Sequence, residues 1–245
     1  LAHLVEHLEF EGTSRYKPLE IISYMGSIGM AWGPEVNGYT NYSNTTYKLS
    51  VPTTVPGAVE KGIDILDDWA RGPVVTAEIA EKEKKVVSEE YRMRREKTDA
   101  RYQMALSEMV FEGSPFANQS PLGLPEDIAR FTPDDARRFV DRFYTVDAMS
   151  VVVVGDVDPA GIESLLKRQF TSDYGRKIGS RPTAFPAYAS ATKDVVRYFD
   201  APDLGSDRFV WFAVHERVSS DLKTAMLWDM KADIAFSALN RRLAE

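Results

Sequence analysis

Segments with helical and strand periodicity alternate along the 245 residues of the chain, and this alternation restricts the fold more than any single motif does. Apolar residues recur at helical spacing in residues 1–10 and in the highly charged segment that follows Thr76. Residues 36–40 and 45–51 have the pattern of strands, and the polar stretch between them predicts an antiparallel hairpin. We therefore predict an α+β fold, in which helices pack on a mixed, largely antiparallel sheet.

The most apolar short segment is residues 150–155, where four consecutive valines follow a serine. This pattern predicts a strand that is buried on both faces. Residues 194–199 and 208–214 predict two further strands. A final helix is predicted from about residue 219 to residue 245.

Prolines and glycines are concentrated in residues 113–124, which indicates a boundary within the chain. We predict a first αβ unit at residues 1–118 and a second, related but incomplete αβ unit at residues 119–245. Because the first residues already have a helical pattern, we expect both units to form one fused domain of a longer protein.

Composition excludes several kinds of site and partner. The chain has no cysteine, so it has no disulfide scaffold, no thiolate zinc site and no cysteine nucleophile. The net charge of −7 and the mixing of acidic with basic residues argue against nucleic acid as a partner. No apolar run approaches the roughly 20 residues that a membrane-spanning helix needs, so no membrane span is predicted.

Two of the three histidines, His3 and His7, lie four residues apart in the first predicted helix. Side chains at this spacing project from one face, one turn apart, and two imidazoles so placed can bind one metal ion. Glu6 borders the same face, where it can act as a general base toward metal-activated water without being a ligand. This order is the inverse of the His-Glu-x-x-His motif. The alternative is a chance pairing of surface histidines.

A catalytic zinc site needs a third protein ligand. His215 is one candidate, but it stands alone near the end of a predicted strand, where a satisfied or surface histidine is the better explanation. The helix after Thr76 offers Glu83 and Glu90, which share a side with an apolar stripe. Ionised carboxylates beside apolar residues are costly unless a cation pairs with them. The stripe repeats every seven residues, at Ile79, Val86 and Met93.

Periodicity favours Glu90 over its neighbour Glu89 as the third ligand, but it excludes neither residue. The alternative is a solvated helix, since acidic residues crowd the whole segment.

Six segments, in order along the chain, resemble the insulinase-like M16 metallopeptidases, which include pitrilysin and the mitochondrial processing peptidases. They are LAHLVEHLEFEGT at 1–13, EVNGYT at 35–40, EKKVVSEE at 83–90, SPLG at 120–123, VVVGDVD at 152–158 and LNRRL at 239–243. The resemblance implies that His3, His7 and Glu90 bind zinc. It also implies that Glu6 is the catalytic base and that Glu83 supports the metal site from behind its ligands.

The resemblance implies peptide or short unfolded substrates as well. Asn37 matches an asparagine that holds the substrate backbone beside an edge strand, where an extended peptide gains main-chain hydrogen bonds. A strand-end or turn asparagine is the alternative for this residue. The sequence of residues 29–37 most resembles bacterial members of the family, which are often exported to the periplasm.

Three features depart from the family pattern. The spacing between His7 and Glu90 is longer than usual, the strands that precede the histidine helix are absent, and no segment matches the homologous second half. That half, or a partner subunit, supplies an arginine and a tyrosine to the active site. We therefore expect the 245-residue chain to bind zinc but to hydrolyse peptides poorly by itself.

Two other readings of the function stay open at this point. A non-catalytic structural or assembly subunit of the same family keeps the fold without turnover, and a truncated piece can act as an interaction module. A lyase with an inverted histidine motif is disfavoured, because that chemistry also relies on a cysteine and the chain has none.

Overall fold

The computed structural model describes residues 1–112, 114, 116, 120–170, 196, 198–199 and 221–243, and helices dominate this part of the chain. The helices are α1 (Ala2–Glu11), α2 (Glu20–Ser27), α3 (Ala58–Arg71), α4 (Ala77–Glu96), α5 (Thr98–Val110), α6 (Pro125–Arg130), α7 (Pro133–Phe143), α8 (Pro159–Gln169) and α9 (Leu222–Leu243). A short 3-10 helix lies at Val146–Ala148. The strands β1 (Val36–Thr40) and β2 (Thr45–Leu49) lie between α2 and α3 in the sequence. The predicted α+β class is confirmed.

β1 and β2 form the predicted antiparallel hairpin. Val36 pairs with Leu49 at its open end, and Thr40 pairs with Thr45 next to the turn. α1 packs against both strands and also against α4 and α7. The helix that carries two histidines therefore contacts both the sheet and the long charged helix.

A buried apolar cluster fixes α1 relative to α4, α6 and α7. Burial of each large aliphatic side chain contributes about 1.5–3 kcal/mol, so this cluster sets the relative position of the helices. The side chains of His3, Glu6 and His7 are not part of it and line a cleft. The members of the cluster are Leu4, Val5, Leu8, Ala80, Val87, Ile128, Phe131, Ala136, Val140 and Tyr144.

A second cluster packs α2 and α3 against the hairpin. It contains Tyr16, Ile21, Met25, Val36, Ile65 and Trp69. Leu19 precedes α2, is largely exposed and has a left-handed backbone with φ of 65°.

Threonine side chains cap the starts of two helices, α4 and α7. The Thr76 hydroxyl accepts a hydrogen bond from the Ile79 amide at the start of α4. Thr132 and Asp135 form a reciprocal capping box at the start of α7. Side-chain oxygens in these positions satisfy amides that have no partner within the helix.

The strand predicted at residues 150–155 is wrong. This segment pairs with no strand in the described part of the chain, and Val152 and Val154 are 81% and 91% exposed. An apolar run becomes a strand only when a neighbouring strand accepts its backbone hydrogen bonds. The four valines therefore indicated an apolar segment, but they did not indicate that a neighbouring strand pairs with it.

Some predictions cannot be compared with the structure. The strands predicted at residues 194–199 and 208–214 fall mostly outside the described residues, and His215 lies wholly outside them. The final helix is confirmed as α9. The division into units at residues 1–118 and 119–245 stays a prediction. No helix in the described ranges combines the length and the apolar character that crossing a membrane requires.

Candidate metal centre

Two helices that are far apart in the sequence supply the side chains of the site. α1 carries His3 and His7 on consecutive turns, and their ring centroids are 4.8 Å apart with the ring planes at 78°. α4 carries Glu83 and Glu90 and packs directly against α1. Leu4 and Leu8 of α1 belong to the same buried cluster as Val87 of α4, so the acidic helix is held beside the imidazoles.

Three donor atoms converge between these helices. The distance from His3 Nε2 to Glu90 Oε2 is 3.4 Å, and that from His7 Nε2 to the same oxygen is 3.5 Å. One potential ligand atom from each of the three residues lies within 4.8 Å of the other two. Ligands that bind one zinc ion tetrahedrally at about 2.0–2.1 Å are themselves roughly 3.3 Å apart. The three side chains therefore have the donor types and the spacing of a zinc site.

Glu83 lies behind His7 and not among the three converging donors. Its Oε2 is 3.1 Å from His7 Nδ1, and its side chain is only 5% exposed. A hydrogen bond at Nδ1 leaves Nε2 as the nitrogen that faces Glu90. A carboxylate behind a histidine is the usual arrangement that orients an imidazole toward a metal ion.

The two imidazoles have different proton affinities. Burial lowers the pKa of His3 to about 4, and the neighbouring His7 adds to this effect, so His3 is neutral near pH 7. Burial acts in the same direction on His7, but hydrogen bonds to Glu83 and Glu90 outweigh it and raise the pKa to about 9. The hydrogen bond from His7 in turn lowers the pKa of Glu90 to about 2. Metal binding would replace the proton on His7, since a ligating imidazole must be neutral.

The carboxylate of Glu6 is held against the hairpin. Thr40 Oγ1 donates a hydrogen bond to Glu6 Oε2 at 2.6 Å. Gly38 approaches so closely that a Cβ atom there would lie 3.0 Å from both Cγ and Oε1 of Glu6. Burial raises the pKa of Glu6, and the hydrogen bond from Thr40 opposes that shift. A buried carboxylate whose pKa is raised toward neutrality suits a general base.

The site opens into a cleft of about 790 Å³. Asn37 lines this cleft, and its Oδ1 accepts a hydrogen bond from the Gly38 amide at 2.9 Å, so its side chain is partly engaged with its own strand. The wall also contains the half-exposed Trp32, whose ring lies edge-on to Phe10 at 4.7 Å. The other lining residues include Tyr39, Lys82, Val86, Arg94 and Leu122.

Sequence reasoning missed Gly38, Thr40 and Arg94. The first two lie two residues apart on β1 and therefore on one face of the strand. That spacing was a usable signal, because the predicted hairpin already placed a small residue and a hydroxyl on one side. Arg94 follows Glu90 by one helical turn, which places it on the same face of α4.

Comparison with known proteins identifies the family. Residues 1–120 match the family model described as insulinase (peptidase family M16), and residues 130–216 match the one described as peptidase M16 inactive domain. The chain belongs to peptidase family M16. The resemblance inferred from the six sequence segments is thus confirmed.

Relatives within M16 are named as zinc proteases. The chain is 32% identical to a zinc protease PQQL-like protein of Arabidopsis thaliana, over 99% of this chain and 25% of that protein. It is 31% identical to the probable zinc protease PqqL of Escherichia coli (strain K12), over 68% of this chain and 18% of that protein. The chain thus spans a quarter or less of the length of these relatives.

Solved M16 structures share the fold. The first half of the periplasmic protease PqqL from Escherichia coli superposes with a TM-score of 0.69 at 28% identity. The match covers 76% of this chain and 39% of that structure. Pitrilysin matches with a TM-score of 0.57 at 19% identity, over 80% of this chain and 19% of that chain, which supports the fold alone.

Proposed function

We propose that this chain is the zinc-binding part of an M16 metalloendopeptidase that hydrolyses peptides or short unfolded polypeptides. The observation that carries the proposal is the convergence of the Nε2 atoms of His3 and His7 on Oε2 of Glu90. The names of the relatives, which are zinc proteases, support zinc as the metal. In this proposal Glu83 orients His7 through Nδ1.

A zinc ion bound there would supply Lewis acidity, which lowers the pKa of a water molecule and polarises the carbonyl of a peptide bond. The chain's own contribution is the proton transfer. Glu6 accepts a proton from the attacking water, because its carboxylate is buried next to the histidines and its pKa is raised. Glu6 then donates that proton to the departing amine. The hydrogen bond from Thr40 holds one carboxylate oxygen, so the base keeps one position during both transfers.

The cleft gives room for an extended peptide. Asn37 lies on β1, and in this proposal it binds the substrate backbone beside that strand. A homologous second half, or a partner subunit, would complete the active site, since this chain spans only part of its relatives. The periplasm is the proposed location, because the Escherichia coli structure is described as a periplasmic protease.

Substitution of Glu6 by glutamine in the complete protein tests the proposal. The glutamine keeps the shape of the side chain but cannot accept a proton, so peptide hydrolysis should fall by about 10²–10⁴-fold. Zinc content should stay at the wild-type value, because Glu6 is not a ligand. Cleavage of an unstructured peptide and metal analysis of the same sample provide the two measurements.

The matched control is Glu60→Gln, at an exposed position on α3, which should change neither quantity. Loss of zinc from Glu6→Gln would show that the base and the ligands were assigned wrongly. Full activity with zinc retained would remove Glu6 from the mechanism. Absence of peptide hydrolysis in the zinc-loaded wild-type protein would instead favour a non-catalytic metal-binding subunit.

A further inference from the structure

The two oxygens of the Glu90 carboxylate have different partners. Oε2 faces the imidazoles of His3 and His7, at 3.4 and 3.5 Å. Oε1 lies 2.5 Å from Nη2 of Arg94, which is four residues further along α4. The ion pair therefore occupies the oxygen that does not face the two histidines.

This division matters because Glu90 is not rigidly enclosed. Its side chain is 27% exposed, so without a partner it would sample several rotamers and lose that freedom when it binds a metal ion. A guanidinium is planar and permanently charged, so it can fix a carboxylate in one orientation. Arg94 thus holds the side chain with Oε2 directed at the imidazoles before any metal ion arrives.

Arg92 and Lys82, two other cationic side chains of α4, have different partners. Arg92 pairs with Glu89 at 2.5 Å and also with Glu96, on the exposed side of the helix. Lys82 pairs with Glu11 at the end of α1, at 2.5 Å. The contact between Arg94 and Glu90 therefore belongs to the site, whereas the pairs of Arg92 are typical of a solvated helix.

The charge of Arg94 also has an opposing effect. A permanent positive charge next to a bound divalent cation repels it, so a purely electrostatic role predicts that loss of Arg94 tightens metal binding. A positioning role predicts that its loss weakens binding. The sign of the change distinguishes the two roles.

We propose that Arg94 is a positioning residue for the metal ligand Glu90: it holds Oε1 and thereby presents Oε2 alone to the metal ion. The inference rests on the proposed function, since it requires that His3, His7 and Glu90 form the metal site. Arg94 restrains Glu90 as a ligand through one oxygen. Without it, both oxygens become available to the metal ion.

Zinc affinity and a cobalt spectrum test this role. The variants are Arg94→Met, Arg94→Lys, and Arg92→Met as the matched control on the same helix. Zinc dissociation constants are measured by competition with a chromophoric chelator, and thermal unfolding followed by circular dichroism confirms that each variant is folded. Arg94→Met should weaken zinc binding by roughly 10–100-fold, the usual effect of removing a residue that orients a ligand.

The Co²⁺-loaded Arg94→Met protein should show weaker visible absorption, because binding through both carboxylate oxygens raises the coordination number above four. Arg94→Lys, which keeps a cation within reach of Oε1, should recover part of the affinity. Arg92→Met should equal wild type in both measurements.

An Arg94→Met protein that binds zinc as tightly as Arg92→Met, or more tightly, would overturn the inference. Glu90→Ala in the same series separates this result from failure of the proposed function. If wild type binds zinc and Glu90→Ala does not, an unaffected Arg94→Met refutes only the role of Arg94. If wild type and Glu90→Ala bind zinc equally, the metal site itself is wrong, and the inference fails with it.

Discussion

The two imidazoles of the site differ in what lies behind them. His7 Nδ1 is 3.1 Å from Glu83, whereas His3 Nδ1 is buried and has no hydrogen-bond partner among the described residues. Burial lowers the pKa of His3 to about 4, whereas in His7 the hydrogen bonds to Glu83 and Glu90 outweigh burial and raise the pKa to about 9. Glu83 therefore governs one ligand of the pair, and its replacement tests that dependence.

Glu83→Gln should weaken zinc binding by roughly 10–100-fold, because the amide is a neutral and weaker partner for His7 Nδ1. The shape of the side chain is almost unchanged, so packing against α1 should be preserved. The zinc dissociation constant measured by chelator competition gives the result.

Glu81→Gln is the control for this substitution. Glu81 lies two residues away on α4, where it is exposed and pairs with Lys84 at 2.7 Å. The Glu81→Gln variant should bind zinc with the wild-type affinity. Equal affinities for the two variants would show that the contact between Glu83 and His7 does not support the metal site.

At the scale of elements, the end of α1 is tied to α3 by a buried carboxylate. Asp68 is fully buried and accepts hydrogen bonds from the hydroxyl groups of Thr13 and Ser14, the latter at 2.8 Å. Arg15 Nε also donates to Asp68, at 3.1 Å, and the same guanidinium pairs with Asp67. The loop that follows the histidine helix is thus fixed to α3, which contributes to the second apolar cluster.

Asp68→Ala should lower the free energy of unfolding by about 1–3 kcal/mol, because it leaves the buried hydroxyl of Thr13 without this acceptor. The lower part of that range applies to the Arg15 contact, since this side chain is partly exposed and keeps Asp67 as a partner. Urea unfolding followed by tryptophan fluorescence measures the change.

Glu60→Ala, at an exposed position of the same helix, serves as its control and should unfold at the wild-type urea concentration. A midpoint for Asp68→Ala that matches this control would show that the network does not stabilise the fold.

The buried face of α4 shows how far the sequence could predict an element. Sequence periodicity correctly predicted a helix after Thr76, and it placed Glu83 and Glu90 on one side. The structure buries Ala80, Glu83 and Val87, whereas Val86 and Met93 of the apolar stripe are exposed. Local spacing establishes that a helix exists, whereas the neighbouring helix α1 decides which face is covered.

The site divides in the same way. The two histidines and Glu6 could be recognised because they lie within one turn of a single helix, where spacing alone fixes their relative positions. The contacts of Thr40 and Arg94 could not be predicted, because Thr40 bonds to a residue on another element and the ion pair of Arg94 depends on a side-chain conformation. The error at residues 150–155 has a related cause, since strand pairing is a non-local contact.

At the scale of the whole molecule, the relatives that this chain matches are much longer than the chain itself. It spans 25% of the Arabidopsis relative and 39% of the first half of the Escherichia coli protein. The side chains proposed to bind the metal ion all lie within α1 and α4. We therefore expect metal binding to need only this chain, while efficient hydrolysis needs the remainder of the protein.

Zinc analysis of the 245-residue chain, beside its Glu90→Ala and Glu89→Ala variants, tests the central claim most directly. Glu89 is the matched control, because it is adjacent in sequence but 54% exposed and paired with Arg92. The account predicts one zinc ion per chain in wild type and in Glu89→Ala, and loss of that ion in Glu90→Ala. Equal zinc content in the two variants, or no zinc in wild type, would contradict it.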